Sequence, residues 1–297
     1  MKADIAVNEE MEVEPEAPVG NGQISAMVSL LSDASSKVVE GCVEALVEQG
    51  DRVVSLLEAR LPQASGREGR RLRSVLARIL FSDTENRLLS HLSGPAELER
   101  GALFIARLVD GGPQPDETAG ILDRMADRAD ALLMDDGDPM RQLGVLRRVL
   151  VEEYAISGVA PGRSKPIDAL LHGVTSNRRG MPLPLCLAWL LVARRLGVPL
   201  VGVNMPGHFL LRMEGTEKPL VIDAYSGGLL VDQRACKKQL AAHGMSDRII
   251  EDLDADDREI LLRTLRNIVH LAASDRDRYL AMCCTRLLSL ESRARMV

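Results

Sequence analysis

His208 lies at the start of an apolar stretch, and its imidazole is a candidate for acid–base catalysis. Residues 205–213 read MPGHFLLRM, and the apolar residues after the histidine alternate with others. This alternation predicts a β-strand that begins at His208. An imidazole at that place is typical either of half of a catalytic pair or of a residue that holds a loop. Choosing between them requires a carboxylate and a nucleophile that face it.

Asp223 is the candidate carboxylate. It lies in a second alternating run, residues 218–225 (KPLVIDAY), and the polar segment EGTEK separates the two runs in the manner of a hairpin loop. Adjacent antiparallel strands place facing Cβ atoms roughly 5 Å apart, which is close enough for an imidazole–carboxylate hydrogen bond. The sequence therefore predicts contact between His208 and Asp223.

Cys186 is the candidate nucleophile. Residues 181–197 (MPLPLCLAWLLVARRLG) predict a strongly apolar helix that begins near Pro182, since proline suits a first helical turn, and ends at Gly197. Cys186 lies roughly 6 Å along the helix axis from Pro182, among leucines, where burial raises a thiol pKa. This setting favours a packing role for Cys186, and a catalytic role is the alternative.

Four segments follow from the pattern of the whole chain. Residues 1–22 are acidic with little that can pack, so we expect a disordered tail. Residues 23–94 show apolar positions three and four apart, typical of helices, and their order resembles HEAT-type repeats or an ordinary amphipathic bundle. Residues 95–256 combine further helices with three short strands. Residues 257–297 predict two amphipathic helices in an antiparallel hairpin.

Composition limits the kind of protein. The net charge of -6 argues against a nucleic-acid-binding surface, and no stretch approaches the roughly 20 apolar residues of a membrane helix. The five cysteines have no disulfide-framework or metal-type spacing. The expectation is a cytoplasmic protein with reduced thiols, no metal and no cofactor.

The segment around His208 resembles the SirB-type transglutaminase-like family, a branch of the papain-like superfamily. The matching features are RRGMP at 178–182, ARRLGVP at 193–199, PGHFL at 206–210, and Ile-Asp followed by Gly-Gly between 222 and 228. The closing hairpin also resembles a tetratricopeptide-like unit of that family. The resemblance implies a predominantly helical α+β fold, with a transglutaminase-like core and a small antiparallel sheet at 95–256, flanked by helical repeat-like segments.

The same resemblance assigns site roles. His208 matches the base position and Asp223 the position that orients it, whereas Pro182 holds the place of the nucleophilic cysteine, as is usual in this branch. We therefore expect a non-catalytic or regulatory protein that binds a protein or peptide partner. The alternative is a cysteine-type acyl-transfer or amide-hydrolysing enzyme that uses Cys186, and a third possibility is ligand binding without chemistry. Pro182, Asn204 and Tyr225 are the expected lining of a pocket.

Overall fold

The computed structural model describes residues 20–64, 66–110, 115–133, 137–274 and 278–294. The chain divides into two compact units, with the boundary between Ile79 and Leu80. Most of the expected acidic tail, residues 1–19, lies outside the described residues, and helical structure begins at Asn21. The segment boundaries expected at 94 and 256 stay predictions.

The first unit is helical, as its apolar spacing predicts. Gly50, with φ of +57°, closes the second helix, as expected of a glycine after a helix end. Arg71 donates to the carbonyls of Leu31 and Asp33 at 2.6 and 2.9 Å, which ties the first interhelical turn to the fourth helix. The helices are α1 (Asn21–Leu30), α2 (Ser36–Glu48), α3 (Val54–Arg60) and the beginning of α4 (Gly66–Ser93), with 3₁₀ turns at Gly50–Val53 and Leu61–Gln63.

The second unit is built around one buried helix. Its helices are the rest of α4, α5 (Leu98–Asp110), α6 (Pro115–Leu133), α7 (Pro139–Arg147), α8 (Leu171–Asn177), α9 (Pro182–Arg195), α10 (Gln233–Ala242), α11 (Asp257–Ser274) and α12 (Arg278–Ala294). A π-helical turn at Arg148–Glu153 and 3₁₀ turns at Pro166–Ala169 and Ile250–Leu253 complete the set. Every residue of α9 from Leu183 to Ala193 is buried, so this helix forms the centre of the core.

Two sheets accompany the helices. Strands β1 (Ser157–Gly158) and β2 (Arg179–Gly180) form a short parallel pair. Strands β3 (Leu200–Val203), β4 (Leu210–Met213), β5 (Leu220–Asp223), β6 (Leu229–Leu230) and β7 (Asp254–Ala255) form an antiparallel sheet in the order β6-β5-β4-β3-β7. The predicted class, α+β and predominantly helical with a small antiparallel sheet, is confirmed.

The start of β4 differs from the prediction. The strand begins at Leu210, two residues after His208. The His208 amide donates to the Met205 carbonyl at 3.2 Å, and Gly207 has a φ of +73°, so the Pro-Gly turn extends through the histidine before the ladder begins. The expectation that His208 opens the strand is wrong, because the histidine belongs to the turn.

Both faces of the five-stranded sheet are covered at its central strand β4, which fixes the register of that strand. Phe209, just before β4, and Leu211 and Met213 within it belong to the core cluster that contains α9. Leu210 and Val221 pack on the opposite side, in a smaller cluster with Cys236 and Leu240 of α10.

The closing hairpin belongs to the same core. Leu261 and Leu265 of α11 and Leu287 of α12 are fully buried in the cluster that contains α9. A Cβ on Gly101 of α5 would lie 2.3 Å from Leu261 Cδ1, so α5 and α11 approach closely at this point. The hairpin is therefore an integral part of the second unit, and its likeness to a tetratricopeptide unit stays a prediction.

No helix within the described ranges is both long enough and apolar enough to cross a membrane.

Candidate functional site

His208 and Asp223 are in direct contact, as the strand pairing predicts. The distance from His208 Nε2 to Asp223 Oδ2 is 3.1 Å, and the two side chains are 23% and 15% exposed. The turn before β4 supplies the histidine, and the last residue of β5 supplies the aspartate. The antiparallel pairing of these strands brings together two residues that are fifteen positions apart in the chain.

Hydrogen bonds keep Asp223 ionised and fixed. Its Oδ1 accepts the amides of Tyr225 and Ser226 at 3.0 and 3.1 Å, and its Oδ2 also accepts the Ser226 hydroxyl at 2.8 Å. Burial opposes ionisation, but the hydrogen bonds from His208 and Ser226 outweigh it and hold the pKa of Asp223 below its ordinary value. An ionised, immobile carboxylate orients the imidazole of His208.

Arg263 of α11 holds the loop that carries the histidine. Its guanidinium donates to the Asn204 side chain, to the Met205 carbonyl at 3.3 Å and to the His208 carbonyl at 2.9 Å. The same group lies 5.3 Å from the centre of the Phe209 ring, and burial lowers the pKa of Arg263. Asn204, expected in a pocket, is therefore engaged by this arginine.

Gln239 of α10 holds the same loop from another element. Its side-chain amide donates to the Pro206 carbonyl at 2.6 Å. No sequence motif marks Gln239 or Arg263, because each lies on an amphipathic helix far from His208 in the chain. Ser226 was also missed, although the order Asp-x-x-Ser-Gly-Gly is typical of a turn closed by an aspartate side chain.

Tyr225 packs on the histidine. Its ring centre lies 6.3 Å from that of His208 at an interplanar angle of 86°, an edge-to-face arrangement. Its hydroxyl donates to the Val159 carbonyl. A Cβ on Gly158 would lie 2.5 Å from the Tyr225 ring, so β1 needs glycine there to let the ring approach. Tyr225 thus joins the pair to the parallel strands, and its expected place in a pocket lining stays a prediction.

Two residues of α9 decide whether the site has a nucleophile: Pro182, which by the family resemblance holds its place, and Cys186, the candidate thiol. Pro182 is the first residue of the helix and carries no nucleophilic atom. Cys186, one turn later, is fully buried, and its Sγ lies 3.5 Å from the Phe209 carbonyl, to which it donates. Burial, aided by the negative charge of Asp223, raises the pKa of the Cys186 thiol far above its ordinary value. The thiol is therefore protonated at neutral pH and screened from solvent.

The described residues offer no metal centre. No group of three or more His, Cys, Asp or Glu side chains in the described part of the chain is arranged to hold a metal ion. The arrangement can orient one imidazole, bond to it and move its proton.

A buried helix followed by antiparallel strands, with a histidine–aspartate pair across them, defines the class of this protein. Residues 117–266 match the family model described as Transglutaminase-like superfamily. The chain belongs to the transglutaminase-like superfamily.

The chain is also similar to individual proteins of other organisms. The chain is 31% identical to the UPF0162 protein of Xylella fastidiosa strain Temecula1, over 64% of this chain and 70% of that protein. It is 32% identical to a UPF0162 protein of Pseudomonas aeruginosa, over 61% of this chain and 67% of the relative. A shorter stretch, 34% of this chain, is 31% identical to F-box only protein 21 of Homo sapiens and covers 17% of that protein. No solved structure matches the chain.

Proposed function

We propose that this chain is a non-catalytic, SirB-type member of its superfamily that binds a protein or peptide partner. One observation carries the proposal: Pro182, which by the family resemblance holds the place of the nucleophile, is the first residue of α9, and the thiol one turn later is buried and protonated. Covalent catalysis by cysteine requires an accessible thiolate. The chain offers no such group beside its histidine–aspartate pair within the described residues.

In this proposal the pair has a structural role. Asp223 fixes the imidazole of His208, Arg263 and Gln239 fix the loop on which it lies, and Tyr225 packs against it. A hydrogen-bonded network of this kind rigidifies the edge of the sheet where β4 begins and β5 ends. The pair then serves as a scaffold for the loops that flank it.

Helical surface is the proposed means of binding. We propose HEAT-like packing for residues 23–94 and a tetratricopeptide-like hairpin for 257–297, architectures that present helix faces to partners. Exposed apolar side chains on three successive helices of the first unit support this idea: Leu30, Val38 and Leu56 are 42%, 41% and 39% exposed. A cytoplasmic location is part of the proposal.

A second candidate is a cysteine-type acyl-transfer or amide-hydrolysing enzyme that uses Cys186, His208 and Asp223. The intact imidazole–carboxylate contact of 3.1 Å favours it. It requires the Cys186 thiol to leave its bond to the Phe209 carbonyl, to lose its proton and to contact the imidazole of His208.

An amine-transfer assay separates the two candidates. The full chain, Cys186→Ala and His208→Ala are incubated with a glutamine-containing peptide and a labelled primary amine, and product and released ammonia are followed. We expect the same background rate in all three proteins. Turnover in the parent chain that disappears in both variants, while circular dichroism shows that each is folded, would establish the enzyme.

A further inference from the structure

A small pocket lies between β5, α10 and the 3₁₀ turn at Ile250–Leu253. Its volume is about 230 Å³. We name it the α10 pocket and define it by six of the residues that line it: Val221, Cys236, Leu240, Ile250, Lys237 and Glu251. Neither residue of the histidine–aspartate pair is among the described residues that line it, so the pocket is separate from that site.

The interior of the pocket is apolar and belongs to the smaller core cluster of the second unit. Four buried members of that cluster line it: Val221, Cys236, Leu240 and Ile250. Burial, aided by the charge of Asp232, raises the pKa of the Cys236 thiol, so this side chain stays neutral and acts as a small apolar group. Core side chains normally fill the space between them, and space left open among them can hold an apolar group of a ligand.

The size of the pocket favours a small ligand. An apolar cavity of about 150 Å³ takes up benzene, whereas pockets for drug-sized molecules span roughly 300–1,000 Å³. The α10 pocket lies between these sizes and suits a branched aliphatic group with a short polar end. Ile249, which also lines the pocket and is 53% exposed, adds apolar contact area toward the solvent.

Two opposite charges line the same pocket. Lys237 lies on α10 and is exposed, and Glu251 lies in the 3₁₀ turn and is half-buried. Within the described part of the chain they form no ion pair with each other, and neither side chain has a hydrogen bond or ion pair elsewhere. Arg212 also feels the charge of Glu251, but its guanidinium is bonded to Asp254, which is the main cause of its raised pKa. An unpaired ammonium and an unpaired carboxylate can each bind the opposite charge of a ligand.

We propose that the α10 pocket binds a free aliphatic amino acid such as leucine, whose side chain enters the apolar interior while its carboxylate pairs with Lys237 and its ammonium group with Glu251. This binding goes beyond the proposed partner binding and does not depend on it. A residue inside a peptide carries neither terminal charge, and an uncharged apolar molecule would leave both charged groups unused. The two opposite charges therefore favour a ligand that is charged at both ends.

Isothermal titration calorimetry on the full chain at neutral pH tests the assignment. L-leucine is compared with N-acetyl-L-leucinamide, which has the same side chain without either charge, and with glycine, which has both charges without the side chain. We expect leucine to bind about tenfold more tightly than either comparison compound. Lys237→Gln and Glu251→Gln should each weaken leucine binding about three- to tenfold, as loss of one partly exposed charge pair would.

Lys238→Gln is the matched control, because Lys238 is exposed on the same helix and does not line the pocket. It should bind leucine as the parent chain does, and circular dichroism checks that each variant is folded. Absence of saturable leucine binding, or equal losses in Lys237→Gln and Lys238→Gln, would overturn the assignment. Equal or tighter binding of N-acetyl-L-leucinamide would overturn it too, since the pocket would then accept an apolar side chain without using either charge.

Discussion

Replacing His208 with alanine removes one partner of a half-buried hydrogen-bonded pair, whose bond joins Nε2 to Asp223 Oδ2 at 3.1 Å. Hydrogen bonds to charged groups contribute about 1.5–3 kcal/mol. Asp223 retains three donors, namely the Tyr225 amide and both groups of Ser226, so the carboxylate is not left unpaired. The partial exposure of both side chains also reduces the cost. We therefore expect His208→Ala to lower the free energy of unfolding by about 1–2 kcal/mol.

Urea denaturation followed by circular dichroism measures this destabilisation, and thermal melting gives a second reading. For domains of about 150–250 residues each kcal/mol lowers Tm by about 2–4 °C, so the shift should be several degrees. His243→Ala is the matched control, because His243 is exposed at the end of α10 and its Nδ1 contacts only the nearby Gln239 carbonyl. It should change stability by about 0.5 kcal/mol or less. If the two variants melt together, the pair does not brace the loop and the structural role assigned to it is refuted.

Three further predictions concern the surroundings of the pair. The pKa of Asp223 is lower in the folded chain than the ordinary aspartate value of about 3.9, so its ionised form stabilises the fold. This stabilisation is complete above the ordinary value and is lost as pH falls through the folded-state pKa. The difference in stability between the parent chain and Asp223→Asn, large at neutral pH, should therefore shrink in urea melts taken toward pH 3. Arg263→Gln should lower the free energy of unfolding by about 2 kcal/mol in the same melts, because it removes the donors to the loop carbonyls of Met205 and His208. Arg266 is exposed on the same helix, and Arg266→Gln should change stability little. Equal effects of the two variants would contradict the role of Arg263 in holding the loop. Gly158→Ala should lower the free energy of unfolding by about 1–3 kcal/mol, because its Cβ would meet the Tyr225 ring. Gly144→Ala, in helix α7 with open space around the new Cβ, should leave stability unchanged or raise it. Thermal melts that rank the two variants in the opposite order would contradict the packing described.

The order of helix and strands followed directly from local patterns. Proline at the first turn and glycine after the last predicted α9, which runs from Pro182 to Arg195. Alternation of apolar residues predicted β4 and β5, and their pairing predicted that His208 meets Asp223. These features depend on residues close in the sequence, so they can be predicted from a single sequence.

Contacts between residues far apart in the sequence could not be predicted from local patterns. Arg263 reaches the Asn204 side chain from 59 residues away, and nothing in the sequence around either residue marks the other. The predicted start of β4 was wrong because the sequence does not show where the Pro-Gly turn ends. The hydrogen bond from the His208 amide to the Met205 carbonyl keeps the histidine in the turn, so the strand begins only at Leu210. The short strands β6 and β7 were not predicted either, since two-residue strands carry no periodicity.

The reactivity of the Cys186 thiol tests the central claim most directly. The native chain and His208→Ala are treated with iodoacetamide at neutral pH, and the modification of each cysteine is followed over time by peptide mass spectrometry. Because the thiol is fully buried and its pKa is raised, Cys186 should react only as fast as the fold opens, at a rate comparable to Cys284, which is fully buried in the same core cluster. His208→Ala, being less stable, should label Cys186 equally fast or faster. Rapid labelling in the native chain that slows in His208→Ala would show a thiolate activated by that imidazole, and the non-catalytic account would be wrong.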